Sequence, residues 1–567
     1  MHTSSAESCN YLRRAIDDEI TSLEQSIQEP IRVLKARRNV LAPISRLPPE
    51  ILAAIFSFLS PSANNGAFRL ECICFSHVCR QWRETSLNYP RLWSHINLFK
   101  PAPAAMAEML MRAKMVPLHL EVDFTCWSQE QIDALEQQLE EHIPHIRHLK
   151  VGGPLRMALK RLVSSAPILE FLSLTHIPHP LCPSRDVIPV NLFNCATPSL
   201  TSLELEGCDI SWKLPLIKGL KSLKICRIDP PARPKLEDWL DALDEMPQLE
   251  SLYLQHAIPS ATAQLMLEPS RTVTISSLTY FHIIASPKDC ALALAHLVMP
   301  ALTSLHVNIE CRKMEHEDMV QVIPYVARNV NGPQDTEPLR SISIGGEQKQ
   351  VKVVAWTMPD ADLNSSISSN TSIPPRLVFT AMDSYSFILH PKIYDGLLMH
   401  LPVDSVSTFT AGDHTGVNKE FWLKHAPRWP SLEHARLAPS AVKAYRDMLA
   451  EDAPPDGPRL PLLTKLVLDD VTLTAPRTFS LLDILIERVE QGVPLDALDL
   501  HNCFAPERAI QLLREVVVDV KEPWVTKPMV IGEFEIFNLH GEIGYWDEVE
   551  FDYDEDDDEN EDSDDYF

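Results

Sequence analysis

The chain has 567 residues, of which 45% are hydrophobic, so it can bury a sizeable core but is too long for one simple domain. Its net charge of −27 is concentrated at the end, where residues 547–567 hold 14 acidic residues and no Lys or Arg. Without that segment the net charge is −13, and the chain lacks the clustered Lys and Arg that binding to DNA or RNA requires.

The cysteine and hydropathy patterns are typical of a soluble protein in a reducing compartment. The 12 cysteines have no framework spacing, and no apolar signal-peptide core follows Met1. No apolar run reaches the roughly 18 residues that a membrane span needs. We therefore expect a cytoplasmic or nuclear location, or both, with no membrane partner and no nucleic-acid partner.

The first predicted element is an amphipathic helix, assigned to residues 8–42. Its apolar stripe comprises Leu12, Ile16, Ile20, Leu23, Ile27, Ile31 and Leu34. One interpretation is a coiled coil that dimerises the protein, and the other is a helix that folds against its own chain. Pro30 and a length of fewer than four heptads favour the second interpretation.

Residues 44–98 carry an ordered set of motifs. Pro48 and Pro49 suit the first turn of a helix, and Glu50 favours the positive end of its dipole. The apolar residues that follow are Ile51, Leu52, Ile55, Phe56 and Leu59. They form a face too wide for a helix that packs on one side only. Val78-Cys79-Arg80, Trp82 and Leu92-Trp93 come next.

This set of motifs resembles the F-box, a three-helix unit that docks the Skp adaptor of cullin–RING ubiquitin ligases. The resemblance implies an adaptor-binding face of Leu47, Pro48, Ile51, Leu52, Ile55, Leu59, Val78, Cys79 and Trp82. About fifty residues cannot bury so many large apolar side chains alone, which also indicates a partner surface. The alternative is a core shared with the following domain. The layout is also similar to F-box proteins of mushroom-forming fungi.

Three cysteines within this segment, Cys72, Cys74 and Cys79, lie close to His77. Their spacing differs from the paired knuckles of zinc sites, and no second ligand pair follows. We expect these cysteines to be small core residues, with no metal.

From residue 143 onward the pattern L-x-x-L-x-L recurs twelve times. The copies begin at Ile146, Leu169, Leu200, Leu220, Leu249, Leu278, Leu302, Leu339, Val406, Leu432, Leu463 and Leu495. Seven copies have a proline two residues earlier, a position that gives up no ladder hydrogen bond at a strand start. Each copy therefore predicts one parallel strand, with both residues of L-x-L inward and the residue between them outward.

The repeats resemble the leucine-rich-repeat family. Leu200 to Ile210 matches its full pattern, with Cys208 at the Asn/Cys position, and Leu495 to Cys503 matches up to that position. The predicted fold class is α/β: an N-terminal helix and a three-helix F-box, followed over residues 99–545 by an irregular leucine-rich-repeat solenoid with parallel strands and outer helices. Residues 546–567 are predicted to be a disordered acidic tail.

Residues 345–385 interrupt the rhythm of the repeats. Val351 to Ala355 and Leu377 to Thr380 are β-like and flank the polar segment 360–372. They predict an inserted hairpin with a mobile tip, which either grips a target or is tolerated surface.

The outward residues of the L-x-L copies are the default site for a protein target. They are Lys150, Ser173, Glu204, Lys224, Tyr253, His282, His306, Ser343, Val467 and Asp499. Tyr253, His282 and His306 are the preferred candidates because they lie mid-array and include the one large aromatic side chain.

The sequence contains no phosphate-binding, nucleophile-elbow or zinc-protease motif. We therefore expect no enzyme activity, no catalytic residues and no cofactor. The favoured function is a substrate receptor that docks the Skp adaptor and cullin–RING core and presents an unknown protein target. The alternative is a repeat scaffold that binds the adaptor, or another partner, without directing ubiquitination.

Overall fold

The computed structural model describes most of the chain up to residue 521. The described residues are 3–59, 71–98, 103–155, 159, 162–177, 187–228, 232–260, 269, 271–311, 316–332, 337–346, 350–359, 374–383, 390–412, 415–451 and 457–521. Three predicted features lie outside this description. They are the acidic tail, the tip of the hairpin at 360–372 and the side chain of Cys72.

The described residues form nineteen strands, numbered in chain order. They are β1 His95–Leu98, β2 Leu118–Asp123, β3 Ile146–Gly153, β4 Phe171–His176, β5 Ser202–Glu206, β6 Ser222–Cys226, β7 Ser251–Gln255, β8 Val273–Thr274, β9 Tyr280–Ala285, β10 Leu297–Val298, β11 Ser304–Cys311, β12 Ser341–Gly345, β13 Gln350–Trp356, β14 Leu377–Asp383, β15 Thr408–Ala411, β16 His434–Leu437, β17 Lys465–Asp469, β18 Ala497–His501 and β19 Asp519–Lys521. Seventeen of them make one sheet, and β8 and β10 pair separately.

The described helices, also numbered in chain order, lie before and between these strands. They are α1 Thr3–Val40, α2 Pro49–Leu59, α3 Glu71–Ser76, α4 Arg80–Asn88, α5 Pro103–Ala113, α6 Gln129–His142, α7 Leu236–Asp244, α8 Pro287–His296, α9 His316–Asn331, α10 His390–His400, α11 Lys419–His425, α12 Pro439–Leu449, α13 Ala475–Glu490 and α14 Glu507–Val516. Local sequence explains their ends. Ser128 and Gln131 form the capping box that starts α6, and Gly492, with a φ of 78°, follows the end of α13.

The order of the strands in the sheet follows the chain, with one exception. From β1 to β11 each strand pairs in parallel with its predecessor in the sheet. The same holds from β15 to β19. Each of the twelve repeat copies contributes a strand, as predicted. The sheet starts earlier than predicted, because β1 lies inside residues 44–98 and β2 precedes the first copy.

The exception is the region that the sequence predicts to be an inserted hairpin. β13 pairs antiparallel with both β12 and β14. β14 pairs in parallel with β11, and β12 pairs in parallel with β15. Both predicted strands exist, and they are full members of the sheet rather than an appendage. The chain reverses twice here, and the sheet continues without a break.

The interior consists of the L-x-L side chains and the apolar faces of the helices. Leu203, Leu252 and Phe281 are fully buried, and the register pairs leucine with leucine across neighbouring strands, as in Leu203 beside Leu223. Because each strand covers the leucines of the next, no single repeat could bury its own apolar residues. The buried cluster extends without interruption from Leu52 of α2 to Val520 of β19.

The N-terminal helix contradicts the interpretation favoured from the sequence. α1 does not fold against its own chain, because all seven side chains of its stripe are 42–64% exposed. Amphipathicity reveals that a helix has an apolar face, but it does not reveal what covers that face. Pro30 lies within α1, and the helix continues through it.

Three arginines bind the carbonyl groups at the ends of elements in the preceding repeat. Arg328 in α9 donates to the carbonyl oxygens of Ala295 and Leu297, at 3.3 and 3.1 Å, where α8 ends. Arg428 donates to the carbonyl oxygens of Leu398 and Leu401 at the end of α10. The last carbonyls of a helix have no partner within it, so these guanidinium groups satisfy acceptors that would otherwise be buried and unpaired.

Arg488 in α13 makes the most buried of these contacts. Its side chain is 2% exposed and donates to the carbonyl oxygens of Arg459, Leu460 and Leu463, at 3.2, 3.2 and 3.1 Å. These carbonyls belong to the turn that leads into β17. The Arg488 side chain thus connects α13 to the turn that precedes β17.

We predict that Arg488→Met lowers the free energy of unfolding by about 3 kcal/mol, because three buried carbonyls lose a donor worth roughly 1 kcal/mol or more each. Urea unfolding of the full chain, followed by tryptophan fluorescence, measures this change. Arg477→Met is the matched control, because Arg477 lies on the same helix in an exposed position. Equal midpoints for the two variants would contradict the role given to Arg488.

Candidate functional site

Helix α2 has two apolar faces that point in different directions. Leu52 and Phe56 are fully buried, and the Phe56 ring stacks on Phe75 at 4.5 Å and meets Trp82 at 4.8 Å. This inner face joins α2 to α3 and α4. It accounts for only half of the wide apolar face seen in the sequence.

The outer face of α2 has no apolar partner among the described residues. Ile51 is 49% exposed, Leu59 is 58% exposed and Phe58 is 90% exposed. Val78, between α3 and α4, is 56% exposed, and Ile44 is 39% exposed. Five large apolar side chains of this three-helix unit are thus exposed, and such a group usually indicates a surface that a partner covers.

The residues predicted for adaptor binding divide between the two faces. Pro48, Ile51, Leu59 and Val78 are exposed, whereas Leu47, Ile55, Cys79 and Trp82 are half-buried. Leu52 differs from the others because it is fully buried and belongs to the same core cluster as Leu92 and Trp93, so adaptor contact through Leu52 stays a prediction.

The sequence interpretation missed Phe58 and Ile44. The spacing Ile51, Ile55, Phe58 could have identified Phe58, because residues at i, i+4 and i+7 share one helix face. The predicted core placement of the cysteines also fails in part, because Cys74 is exposed and Cys79 is half-buried.

The segment Leu92-Trp93 fixes the three-helix unit to the sheet. Trp93 is 2% exposed, its indole Nε1 donates to the carbonyl oxygen of Ser86 at 2.8 Å, and the Arg112 guanidinium lies 4.4 Å above its ring. β1 begins two residues later. The outer face of α2 is therefore held in a fixed position relative to β1 and α5.

A comparison with known families matches residues 44–98 to the F-box-like family. The chain carries an F-box-like domain. The match covers about a tenth of the sequence, and it includes α2 to α4 and β1. No curated protein matches the chain significantly.

Behind the F-box-like domain, the sheet presents rows of outward side chains that the register aligns. The middle row passes through Asn97, Glu121, Lys150, Ser173, Glu204, Lys224, Tyr253, His282, His306, Val378, Val354, Ser343, Thr410, Arg436, Val467, Asp499 and Lys521. The three preferred target-binding candidates, Tyr253, His282 and His306, are therefore direct neighbours on β7, β9 and β11.

These three residues and Tyr280 form a cluster that we call the aromatic patch. The Tyr253 and His282 rings meet edge to face at 4.5 Å, and His306 lies 5.2 Å from His282 and 5.1 Å from Tyr280. The Tyr280 hydroxyl lies 3.3 Å from His282 Nδ1. Sequence reasoning missed Tyr280 because it lies in the adjacent outward row rather than between two leucines.

Burial favours the neutral forms of the ionisable side chains in the aromatic patch. It lowers the pKa of His282 to about 4, with a further contribution from His306, and it also lowers the pKa of His306. Burial raises the pKa of both Tyr253 and Tyr280. The patch therefore offers ring faces and uncharged polar atoms, and Lys224 lies 5.5 Å from the Tyr253 ring at its border.

The outward row is less accessible further along the chain than the sequence predicts. Ser343 is 7% exposed, Val467 is 0% exposed and Asp499 is 8% exposed. Around β17, Lys465 and Lys521 pair with Asp499 at 2.9 and 3.5 Å, so neighbouring side chains occupy this face. These three residues were wrongly expected to line an open surface.

Two further outward clusters have no counterpart in the sequence interpretation. Arg436 donates to Asp469 Oδ2 at 2.6 Å, and His501 Nδ1 lies 2.6 Å from Asp469 Oδ1, which joins β16, β17 and β18. The three residues lie more than thirty positions apart along the chain, so only the strand register reveals the contact.

The second cluster is a stack of histidines that begins within the F-box-like domain, at His95. The rings of His95 and His119 are 4.4 Å apart, and those of His119 and His148 are 4.2 Å apart. Each of these histidines immediately precedes an inward apolar residue of its strand. An alignment of the strands on those apolar residues would have placed the three histidines side by side. Burial, followed by the neighbouring histidines and Arg147, lowers the pKa of His119 to about 4.

Within the described part of the chain, no group of three or more His, Cys, Asp or Glu residues is arranged to hold a metal ion. No helix there is both long and apolar enough to cross a bilayer. Cys208 and Cys503 lie in equivalent places, where each thiol donates to the carbonyl of the second inward leucine of the preceding strand, Leu174 or Leu468. Burial raises the pKa of Cys503 to about 11, which disfavours a reactive thiolate.

The lowered pKa of His119 predicts a pH dependence of stability. Because its ordinary value is 6.5 and its value in the fold is about 4, the unfolded chain binds the proton first as the pH falls. The contribution of His119 is thus fully present above pH 6.5 and is lost progressively between about pH 6.5 and about pH 4. We expect the urea midpoint to fall less between pH 7 and pH 5 in His119→Gln than in the wild type. An identical fall in both proteins would contradict the neutral stack.

Proposed function

We propose that this protein is a substrate-receptor subunit of a cullin–RING ubiquitin ligase. The observation that carries the proposal is the F-box-like domain with an uncovered apolar face on α2. Members of this family dock the Skp adaptor with outward apolar residues of the box, and Ile51, Phe58, Leu59 and Val78 are available for that contact.

The proposed docking surface consists of the exposed or half-buried residues Leu47, Pro48, Ile51, Ile55, Phe58, Leu59, Val78, Cys79 and Trp82. Leu52 and Phe56 support it from behind, because they hold α2 against Trp82 and Phe75. Removal of the apolar outer face from water would be the main source of affinity, as in other interfaces with a hydrophobic centre.

We further propose that residues 99–545 form an irregular leucine-rich-repeat domain that presents the target. The parallel strands and the equivalent thiol contacts of Cys208 and Cys503 support this assignment. The aromatic patch is the proposed target-binding surface, because aromatic side chains concentrate binding energy at protein interfaces. In this proposal the protein performs no catalysis and acts in the cytoplasm or nucleus, where the ligase core is found.

We predict that Ile51→Asp reduces affinity for a recombinant Skp adaptor at least tenfold, or about 1.4 kcal/mol, because the new carboxylate would be buried without a partner. Ser57→Asp is the matched control: it places the same charge on α2, outside the outer apolar face. Titration calorimetry of the full chain gives both affinities. Equal binding by the two variants would contradict docking through α2.

A second prediction concerns the aromatic patch. Replacement of Tyr253, His282 and His306 by alanine is expected to abolish recovery of target proteins in affinity purification, while the adaptor and cullin remain. The control variant has alanine at three residues of the same row outside the patch: Lys150, Ser173 and Glu204. Targets retained by the patch variant would exclude this surface.

Recovery of the adaptor without a cullin from wild type would favour a scaffold that does not direct ubiquitination.

A further inference from the structure

The apolar stripe of α1 repeats every eleven residues. Leu12, Ile16 and Ile20 are followed by Leu23, Ile27 and Ile31 at the same spacings, and Leu34 begins a third copy. An eleven-residue repeat has about 3.67 residues per turn, so the stripe stays on one side of a nearly straight helix. At about 100° per residue, all seven side chains fall within about 60° of Ile27. The period is therefore eleven residues, so a count of heptads is not the measure of how well this stripe can pair with a second helix.

The stripe is also uncovered. Ile20, Leu23, Ile27 and Ile31 are 48, 56, 55 and 42% exposed, and polar residues occupy the other side of α1. A continuous apolar surface of this length on an isolated helix requires a partner in water. The spacing indicates which one: Ile20, Leu23, Ile27, Ile31 and Leu34 are symmetric about Ile27, so two copies in opposite directions place Ile20 beside Leu34 and Leu23 beside Ile31.

The charges of α1 select the same arrangement. Residues 17–31 contain five acidic residues and no basic one, whereas residues 32–38 contain four basic residues and no acidic one. Glu19 and Arg37 lie on one border of the stripe, and Asp17 and Lys35 lie on the other, each about 80° from Ile27. In an antiparallel pair the same borders meet, so Glu19 faces Arg37 and Asp17 faces Lys35. In a parallel pair the opposite borders meet, and Asp17 would face Glu19.

We infer that α1 is an antiparallel dimerisation helix whose partner is a second copy of this chain, centred on Ile27. The helix leads directly into residues 43–46 and α2. Val40 is thirteen residues from Ile27, so the two F-box-like domains would follow the paired helices at points about 40 Å apart. If the proposed function is correct, one dimer would offer two docking surfaces at opposite ends.

Sedimentation of the full chain at 10 μM tests the inference independently of adaptor binding. We expect the wild type at twice its chain mass of 64.0 kDa, and Leu23→Asp with Ile27→Asp at the monomer mass. Ser22→Asp with Gln25→Asp, on the polar side of the same helix, should remain dimeric. A monomeric wild type, or a dimeric stripe variant, would overturn the inference. Unchanged thermal melting of the variants excludes misfolding as the cause.

The charges provide a second test that leaves the stripe intact. Asp17→Lys with Glu19→Lys, and Lys35→Glu with Arg37→Glu, should each be monomeric alone and dimeric when mixed, because only the mixture restores opposite charges. A photo-crosslinking residue in place of Ile20 should attach to the segment around Leu34 of the other copy. Attachment to position 20 of that copy would overturn the antiparallel arrangement.

Discussion

The register of the parallel sheet determines the rest of the structure. Each strand from the repeat region contributes inward residues such as Leu203 and Leu205, and they are buried only because the next strand places its own leucines at the same level. Burial of one repeat therefore depends on its neighbours. The same register aligns the outward side chains into rows, so the constraint that forms the core also assembles the aromatic patch and the histidine stack from residues far apart in sequence.

The F-box-like domain illustrates how one helix can serve two purposes. Leu52 and Phe56 connect α2 to the common core, while Ile51 and Leu59 remain in contact with water. Trp93 and Arg112 then fix the domain against β1 and α5. A docking surface on a rigid support loses less entropy on binding than one on a mobile segment. In the proposed function, the same rigid connection would hold a bound target in a defined position relative to the adaptor.

Local patterns predicted much of this architecture. The strands followed from L-x-L alternation with a preceding proline, and the three-helix unit followed from ordered motifs between Leu47 and Trp93. Several of the failures concern contacts between distant parts of the chain. Nothing near Arg488 in the sequence indicates that it binds carbonyls at residues 459–463. Nothing near β14 indicates that β14, rather than β12, pairs with β11. Leu52 and Ile51 are equivalent in hydrophobicity, and only the packed fold distinguishes buried from exposed.

In the proposed function, the outer face of α2 binds the adaptor and the sheet face stays free for a target. Hydrogen–deuterium exchange of the full chain, with and without a recombinant Skp adaptor, tests it most directly. Adaptor binding through α2 should slow exchange in residues 47–59 and 78–82 and leave exchange in β7, β9 and β11 unchanged. Protection of those strands with no change in α2 would contradict it.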